Sequence, residues 1–161
     1  MQINEEARVE RARELFMEGY NCSQSVAITF ADIYDIDEEL MSRISASFGG
    51  GIGRMRETCG AACGMFLLAG LKSGPYPSAE NKMANYADVQ TLAEQFKEQT
   101  GSLICRELLG LNKQRKDGTL EPVVICAKPD ERTAEYYAKR PCLNMVETAV
   151  RLYCRRLQKL Q

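Results

Sequence analysis

Apolar residues recur at intervals of three and four along almost the whole chain, and this spacing constrains the fold more than any other feature of the sequence. The pattern is typical of helices that bury one face. It is clearest near the C-terminus, where one face carries Cys142, Met145, Val146, Ala149 and Tyr153. The only β-branched run, at residues 123–125, is too isolated to support a sheet. We therefore predict an all-α fold, a single-domain helical bundle of about six to eight helices spanning residues 1–161.

Capping residues, glycines and prolines predict where these helices begin and end. On the third helix, Leu40, Ile44 and Phe48 recur at four-residue steps. Residues 111–130 are the least regular part of the chain. The predicted helices cover residues 4–18, 21–34, a stretch that begins at 37, 59–71, 78–101, 102–109, 133–139 and 142 to the C-terminus.

A glycine-rich run at residues 49–53 separates the third and fourth predicted helices, because no helix interior would tolerate so many glycines. The neighbouring Arg54 and Arg56 raise the alternative that this run holds an anion. It does not follow a strand, however, as the glycine-rich turn of a dinucleotide site does. Close approach of the backbone to another group is the simpler interpretation.

The charge balance excludes several classes of partner. Lys and Arg total 21 and Asp and Glu total 22, which gives a net charge of −1 and argues against a nucleic-acid partner. No stretch is apolar enough to cross a membrane, and the first residues are acidic rather than those of a signal peptide. We therefore expect a soluble, cytoplasmic protein that binds neither nucleic acid nor a membrane.

The chain contains no histidine. This excludes a Ser-His-Asp triad, a Cys-His protease, and any zinc or haem site with a histidine ligand. Acid–base chemistry near neutral pH would fall to carboxylates, Lys, Tyr or Cys. The cysteines are therefore the main candidates for chemistry.

Four of the seven cysteines lie at the starts of predicted helices. A helix N-terminus presents free N–H groups and a partial positive charge, which favour a thiolate. A single cysteine in a helical protein is most often a small buried apolar residue, but four in this position indicate a shared site. The four are Cys22, Cys59, Cys105 and Cys142.

The other three cysteines are left out of this site. Cys63 lies one turn after Cys59 and is interpreted as core, whereas Cys126 and Cys154 have no evident role. No Cys-x-x-Cys pair occurs, so a four-cysteine site must be assembled from separate helices. Their sulfurs would then lie about 2 Å apart in a disulfide, or roughly 4–7 Å apart around an empty metal site.

Cys59 is predicted to be the most nucleophilic thiol. Thr58 precedes it as an apparent helix cap, Gly60 leaves the sulfur accessible, and Arg54 and Arg56 add positive potential a few residues upstream. Cys63 should lack the free N–H groups and react slowly.

The ordered cysteine motifs resemble those of the C_GCAxxG_C_C family of putative redox-active proteins. The first matches Asn21-Cys22-Ser23-Gln24, and the central one is Cys59-Gly60-Ala61-Ala62-Cys63-Gly64. Cys105 and Cys142 match the third and fourth cysteines. The resemblance covers about residues 10–155 and implies a redox activity that uses these four cysteines.

Two redox mechanisms remain open for such a site. The thiols could exchange with a disulfide, or they could hold an iron–sulfur cluster that carries electrons. The alternative from another class is a non-catalytic interaction module with a structural zinc held by cysteines. The redox partner, a protein or a small molecule, is not identified by the sequence, and a homo-oligomer is compatible with it.

Overall fold

The structure is a computed structural model that describes residues 3–160, and within that range it contains eight α-helices and no strand. This confirms the all-α prediction. Short 3₁₀ helices occupy Ala31–Tyr34 and Ala46–Phe48. The α-helices are α1 (Glu5–Met17), α2 (Cys22–Ile28), α3 (Glu38–Ser45), α4 (Gly60–Leu71), α5 (Ala79–Thr100), α6 (Cys105–Leu108), α7 (Ala134–Lys139) and α8 (Cys142–Lys159).

Most helices begin at the predicted capping residue. The side chains of Asn4, Asn21, Asp37, Ser78 and Thr133 each accept a hydrogen bond from a backbone N–H in the first turn of the helix that follows. These bonds satisfy N–H groups that have no partner within the helix. Gly101 ends α5 in the left-handed conformation, as a C-terminal glycine commonly does.

Two helices are shorter than predicted. The second helix ends at Ile28 instead of continuing to Tyr34, because Phe30 has a φ of −116° and the chain then tightens into a 3₁₀ helix. The sixth begins at Cys105 rather than Ser102, because the backbone N–H of Cys105 donates to the carbonyl oxygen of Glu57, at 2.6 Å.

The hydrophobic core lies where α8 packs against α1, α2, α4 and α5. On α8 the predicted face is buried at Met145, Val146, Ala149 and Tyr153. The Tyr153 ring packs edge-on against Phe30, with their centroids 5.0 Å apart. No helix among residues 3–160 is both long enough and apolar enough to span a bilayer.

On α3 the four-residue apolar spacing does not mark the buried face. Leu40 and Ile44 are exposed, and the side chains that α3 buries are Met41 and Ser45. The buried hydroxyl of Ser45 donates to the carbonyl oxygen of Met41 at 2.6 Å, which removes the penalty of burying it.

Helices α2 and α4 approach each other closely because α4 carries Gly64 at their contact. A Cβ at this position would lie 2.7 Å from the carbonyl oxygen of Ser23 and 3.0 Å from Cβ of Val26. Because Gly64 has no side chain, the backbones of α2 and α4 can pack in direct contact.

We predict that Gly64→Ala lowers the free energy of unfolding by about 1–3 kcal/mol, because the new methyl group meets backbone that must move. Gly70→Ala is the matched control, since it lies on the same helix and a Cβ there meets nothing within 4 Å. The control should raise stability by about 0.5–1 kcal/mol through helix propensity. Urea unfolding measures both, and a Gly64→Ala variant as stable as the control would contradict the close contact.

Candidate functional site

The four cysteines that the sequence assigns to one site line a common cavity of about 300 Å³. Cys22, Cys105 and Cys142 are the first residues of α2, α6 and α8, and Cys59 immediately precedes α4. The cavity lining does not include the other three cysteines. The helix starts therefore converge, and the four cysteines are not dispersed through the core.

A reciprocal capping arrangement fixes Cys22. The side chains of Asn21 and Gln24 each accept a hydrogen bond from the other residue's backbone N–H, at 2.9 and 3.0 Å. Their amide groups also donate to the end of α3, from Asn21 to the carbonyl oxygen of Ala46 and from Gln24 to that of Ser42. The first turn of α2 is thus tied to a second helix.

Two glycines provide the space that the cysteine side chains occupy. A Cβ on Gly60 would lie 2.5 Å from Sγ of Cys22, and a Cβ on Gly51 would lie 2.5 Å from Cβ of Cys105. Any side chain at either glycine would displace a cysteine. The motif glycine after Cys59 therefore positions a different cysteine, Cys22.

A short antiparallel pairing of backbones holds Cys59 beside the segment that carries Cys105. The Cys59 N–H donates to the carbonyl oxygen of Leu103 at 2.7 Å, next to the bond from Cys105 to Glu57. This pairing corrects the predicted cap. Thr58 lies in an isolated β-bridge, and Cys59 itself occupies the N-cap position without a side-chain capping bond.

The glycine-rich run folds into an unusual left-handed turn. All of residues 50–54 have positive φ, including Ile52 at 63° and Arg54 at 60°, and Arg56 follows at 60°. Such a φ costs a non-glycine residue about 1–2 kcal/mol. The turn is held by backbone bonds, one of them from the N–H of Arg56 to the carbonyl oxygen of Gly50. Through it, both arginines reach the cavity lining.

Arg56 contacts one of the four cysteines directly. Its Nη1 donates to Sγ of Cys105 over 3.8 Å, and the arginine is only 8% exposed. Among residues 3–160, no other charged side chain forms a hydrogen bond to a cysteine sulfur. A buried guanidinium in this position stabilises negative charge on the sulfur that it faces.

Asp130 gathers three arginines at the rim of the cavity. Its Oδ2 lies 3.0 Å from Nη2 of Arg54, 2.7 Å from Nη2 of Arg140 and 3.9 Å from Nη2 of Arg56. A fourth cavity arginine, Arg132, instead donates to backbone carbonyl oxygens and stacks over the Phe16 ring at 4.5 Å.

Burial disfavours the thiolate form of Cys22, Cys59 and Cys142. It raises the pKa of Cys22, raises that of Cys59 well above its usual range, and raises that of Cys142 to about 12. A negative charge on Cys22 would raise the pKa of both Cys59 and Cys142 further.

The prediction that Cys59 is the most nucleophilic thiol is therefore wrong. Backbone N–H groups of Ala61 and Ala62 do favour its thiolate, but burial outweighs them, since the residue is only 6% exposed. The expectation for Cys63 agrees with the structure: burial raises its pKa to about 12, and its Sγ donates to the carbonyl oxygen of Thr58.

The four cysteines do not form a metal-ligand set in this arrangement. Among residues 3–160, no three Cys, Asp or Glu side chains lie close enough to bind one metal ion together. All seven cysteines are free thiols. The zinc alternative, which needs one ion between several thiolates, therefore does not fit the placement of these residues.

Sequence reasoning missed Asp130, Arg132 and Arg140 as part of the site. Asp130 and Arg132 precede α7 in weakly patterned chain, and Arg140 directly follows that helix. The one available signal was Arg140, which lies two residues before Cys142 and so must be near that thiol.

We predict that the free energy of unfolding decreases above about pH 8.5, the ordinary pKa of a thiol. Unfolded Cys142 then loses its proton, whereas folded Cys142 keeps it up to a pH of about 12. In Cys142→Ala the decrease should be shallower by up to about 1.4 kcal/mol per pH unit. Urea unfolding from neutral to alkaline pH under reducing conditions measures the slope, and parallel profiles for the two proteins would contradict the raised pKa.

Comparisons with known proteins place this site in a family. Comparisons with curated proteins and with solved structures give no match. The family described as "Putative redox-active protein (C_GCAxxG_C_C)" matches residues 20–155, which include all four cysteines of the cavity. The chain therefore belongs to the C_GCAxxG_C_C family of putative redox-active proteins.

Proposed function

We propose that the protein is a thiol–disulfide oxidoreductase in which Cys105 is the attacking thiol and Cys22 the resolving thiol. The observation that carries this proposal is the hydrogen bond from buried Arg56 to Cys105, inside a cavity that three further family cysteines line. Family membership supports the redox class of the activity.

Cys105 is the proposed attacking residue because a thiolate, not a thiol, is the nucleophile in exchange. Arg56 stabilises negative charge on this sulfur. Burial opposes the same charge on Cys59 and Cys142, whose pKa values it raises. The fold thus favours one nucleophile among the four.

Cys22 is the proposed resolving residue because it lines the same cavity as Cys105 and a charge on Cys105 acts on it. A charge on Cys105 raises the pKa of Cys22, of Cys59 and of Cys142, and a charge on Cys22 also raises that of Cys59 and of Cys142. Cys22 is also more exposed than Cys59. Its sulfur lies against the bare backbone of Gly60, where no side chain stands over it.

The proposed reaction converts a substrate disulfide into two thiols. The Cys105 thiolate attacks one substrate sulfur, which breaks the substrate S–S bond and releases the other half as a thiolate that takes up a proton. Cys22 then loses its proton and attacks Sγ of Cys105, which releases the second half and leaves a Cys22–Cys105 disulfide. Two protein thiols are oxidised and one disulfide is reduced, and an external thiol reverses the change.

The competing functions have less support from the site. A structural zinc site needs several thiolates at ligand distance from one ion, and residues 3–160 offer no such set. An iron–sulfur cluster binds its cysteines to several iron atoms and has no need of the guanidinium beside Cys105, which thiol exchange uses. We also propose a cytoplasmic location, because seven free thiols suit a reducing compartment.

We predict that Arg56→Gln slows alkylation of Cys105 by iodoacetamide at least fivefold near neutral pH, because the sulfur loses its cationic donor. Arg106→Gln is the matched control: Arg106 follows Cys105 directly, but its guanidinium pairs with Glu57 at 3.0 Å. Peptide mapping by mass spectrometry gives the rate at each cysteine. Equal slowing in both variants would remove Arg56 from the proposed role.

A second prediction tests the pair of thiols. Oxidation of the reduced protein by a small disulfide should remove two thiols and link Cys22 to Cys105. The two residues line one cavity, and a disulfide requires their sulfurs to come within about 2 Å of each other. Cys22→Ser should accumulate a mixed disulfide on Cys105, whereas Cys63→Ser, altered one turn beyond Cys59, should still form the internal disulfide. A disulfide that joins another pair would reassign the two roles.

A further inference from the structure

We propose that the substrate of this cavity is a small disulfide that carries carboxylate groups. The inference deepens the proposed exchange activity and rests on it. It starts from the four arginines and one aspartate in the cavity lining, which are Arg54, Arg56, Arg132, Arg140 and Asp130.

The charge of the cavity differs in sign from that of the chain. Four guanidiniums against one carboxylate leave three net positive charges on the lining, whereas the chain as a whole carries −1. The lining contains no Lys or Glu. This concentration of positive charge around reactive thiols would attract an anion from solution.

The arginines lie where their charge is poorly screened. The side chains of Arg54, Arg56 and Arg140 are 20%, 9% and 26% exposed. Charges that are removed from water interact more strongly with a ligand than charges on the open surface. Asp130, which neutralises part of this charge, is the most exposed of the group at 43%.

One guanidinium has no carboxylate partner in the described chain. Arg132 donates to the carbonyl oxygens of Phe16 and Tyr20, at 3.1 and 3.2 Å, and pairs with no acid among residues 3–160. Only two of its five N–H donors are used in these bonds, so the others can meet a ligand carboxylate. Arg140 has a partner, but it shares Asp130 with two other arginines.

The size and the apolar part of the cavity indicate a small molecule. A volume of about 300 Å³ lies at the lower end for small-molecule sites. Leu108, Leu109 and Met145 contribute an apolar wall that suits the methylene groups beside a disulfide. A small disulfide with carboxylates at its ends would meet both kinds of surface.

The test compares three small disulfides that differ in charge: anionic dithiodiglycolate, neutral hydroxyethyl disulfide and cationic cystamine. Each oxidises the reduced protein under pseudo-first-order conditions, and each rate is divided by the rate with a free dithiol in the same buffer to remove intrinsic reactivity. We expect the normalised rate to fall about tenfold from the anionic to the neutral reagent and again to the cationic one at low salt. High salt should reduce these ratios.

Arginine variants locate the preference in the cavity. Arg132→Gln and Arg140→Gln should each lower the anionic-to-neutral rate ratio about fivefold or more. Arg43→Gln, which removes the same charge from an exposed position on α3, should leave the ratio unchanged. Each ratio is taken within one preparation, so the protein concentration cancels, and it is measured where circular dichroism shows the variant to be folded, because unfolded chains react without any cavity preference.

The outcomes separate this inference from the activity on which it rests. Equal normalised rates for the anionic and neutral reagents would overturn the anionic substrate and leave thiol–disulfide exchange standing. A preference that survives both cavity variants would also overturn it. Failure of all three reagents to oxidise Cys105 would overturn the proposed function itself.

Discussion

The direct contact of α2 with α4 is the constraint on which the rest of the site depends. Two glycines one turn apart on α4, Gly60 and Gly64, contribute no side chain to the contact between the helices. At Gly64 the backbone of Ser23 fills the space, and at Gly60 the Cys22 sulfur fills it. One bare helix face thereby sets the distance between the helices and places Cys22 beside Cys59.

Burial and one guanidinium then make the cysteines chemically unequal. All four come from helix starts, where the backbone favours a thiolate, yet burial raises the pKa of Cys22, Cys59 and Cys142. Cys105 is as buried as Cys59 but faces Arg56. Helix position alone therefore does not identify a reactive cysteine; the desolvation of the sulfur and its charged neighbours have to be known as well.

Local signals made much of the fold predictable from sequence. Ser78 and Gly101 bound α5 because each acts on the backbone next to it, and the α8 core face follows from spacing alone. The cysteine motifs identified the four thiols that meet in the cavity. On α3 spacing does not reveal the buried face, because the exposed Leu40 and Ile44 have the same spacing as a buried stripe.

Features that depend on distant parts of the chain were not predictable. Thr58 resembles a helix cap, but the backbone there pairs with the segment around Leu103, more than forty residues away. The depth at which Cys59 is buried and the position of Asp130 beside Arg54 have the same origin. Sequence patterns report the neighbours along the chain, whereas a thiol's reactivity depends on neighbours in space.

The glycines opposite the cysteines have a consequence for transplanting this site. Grafting the four cysteines onto another helical scaffold would reproduce the thiols but not the space that glycines leave for their side chains. Gly60 leaves the space that the Cys22 side chain occupies, and Gly51 leaves the space that the Cys105 side chain occupies. In each case the glycine and the cysteine come from different segments of the chain. The smallest transferable unit is therefore a cysteine together with the glycine opposite it. A scaffold should be chosen for glycines at these opposing positions before any cysteine is introduced.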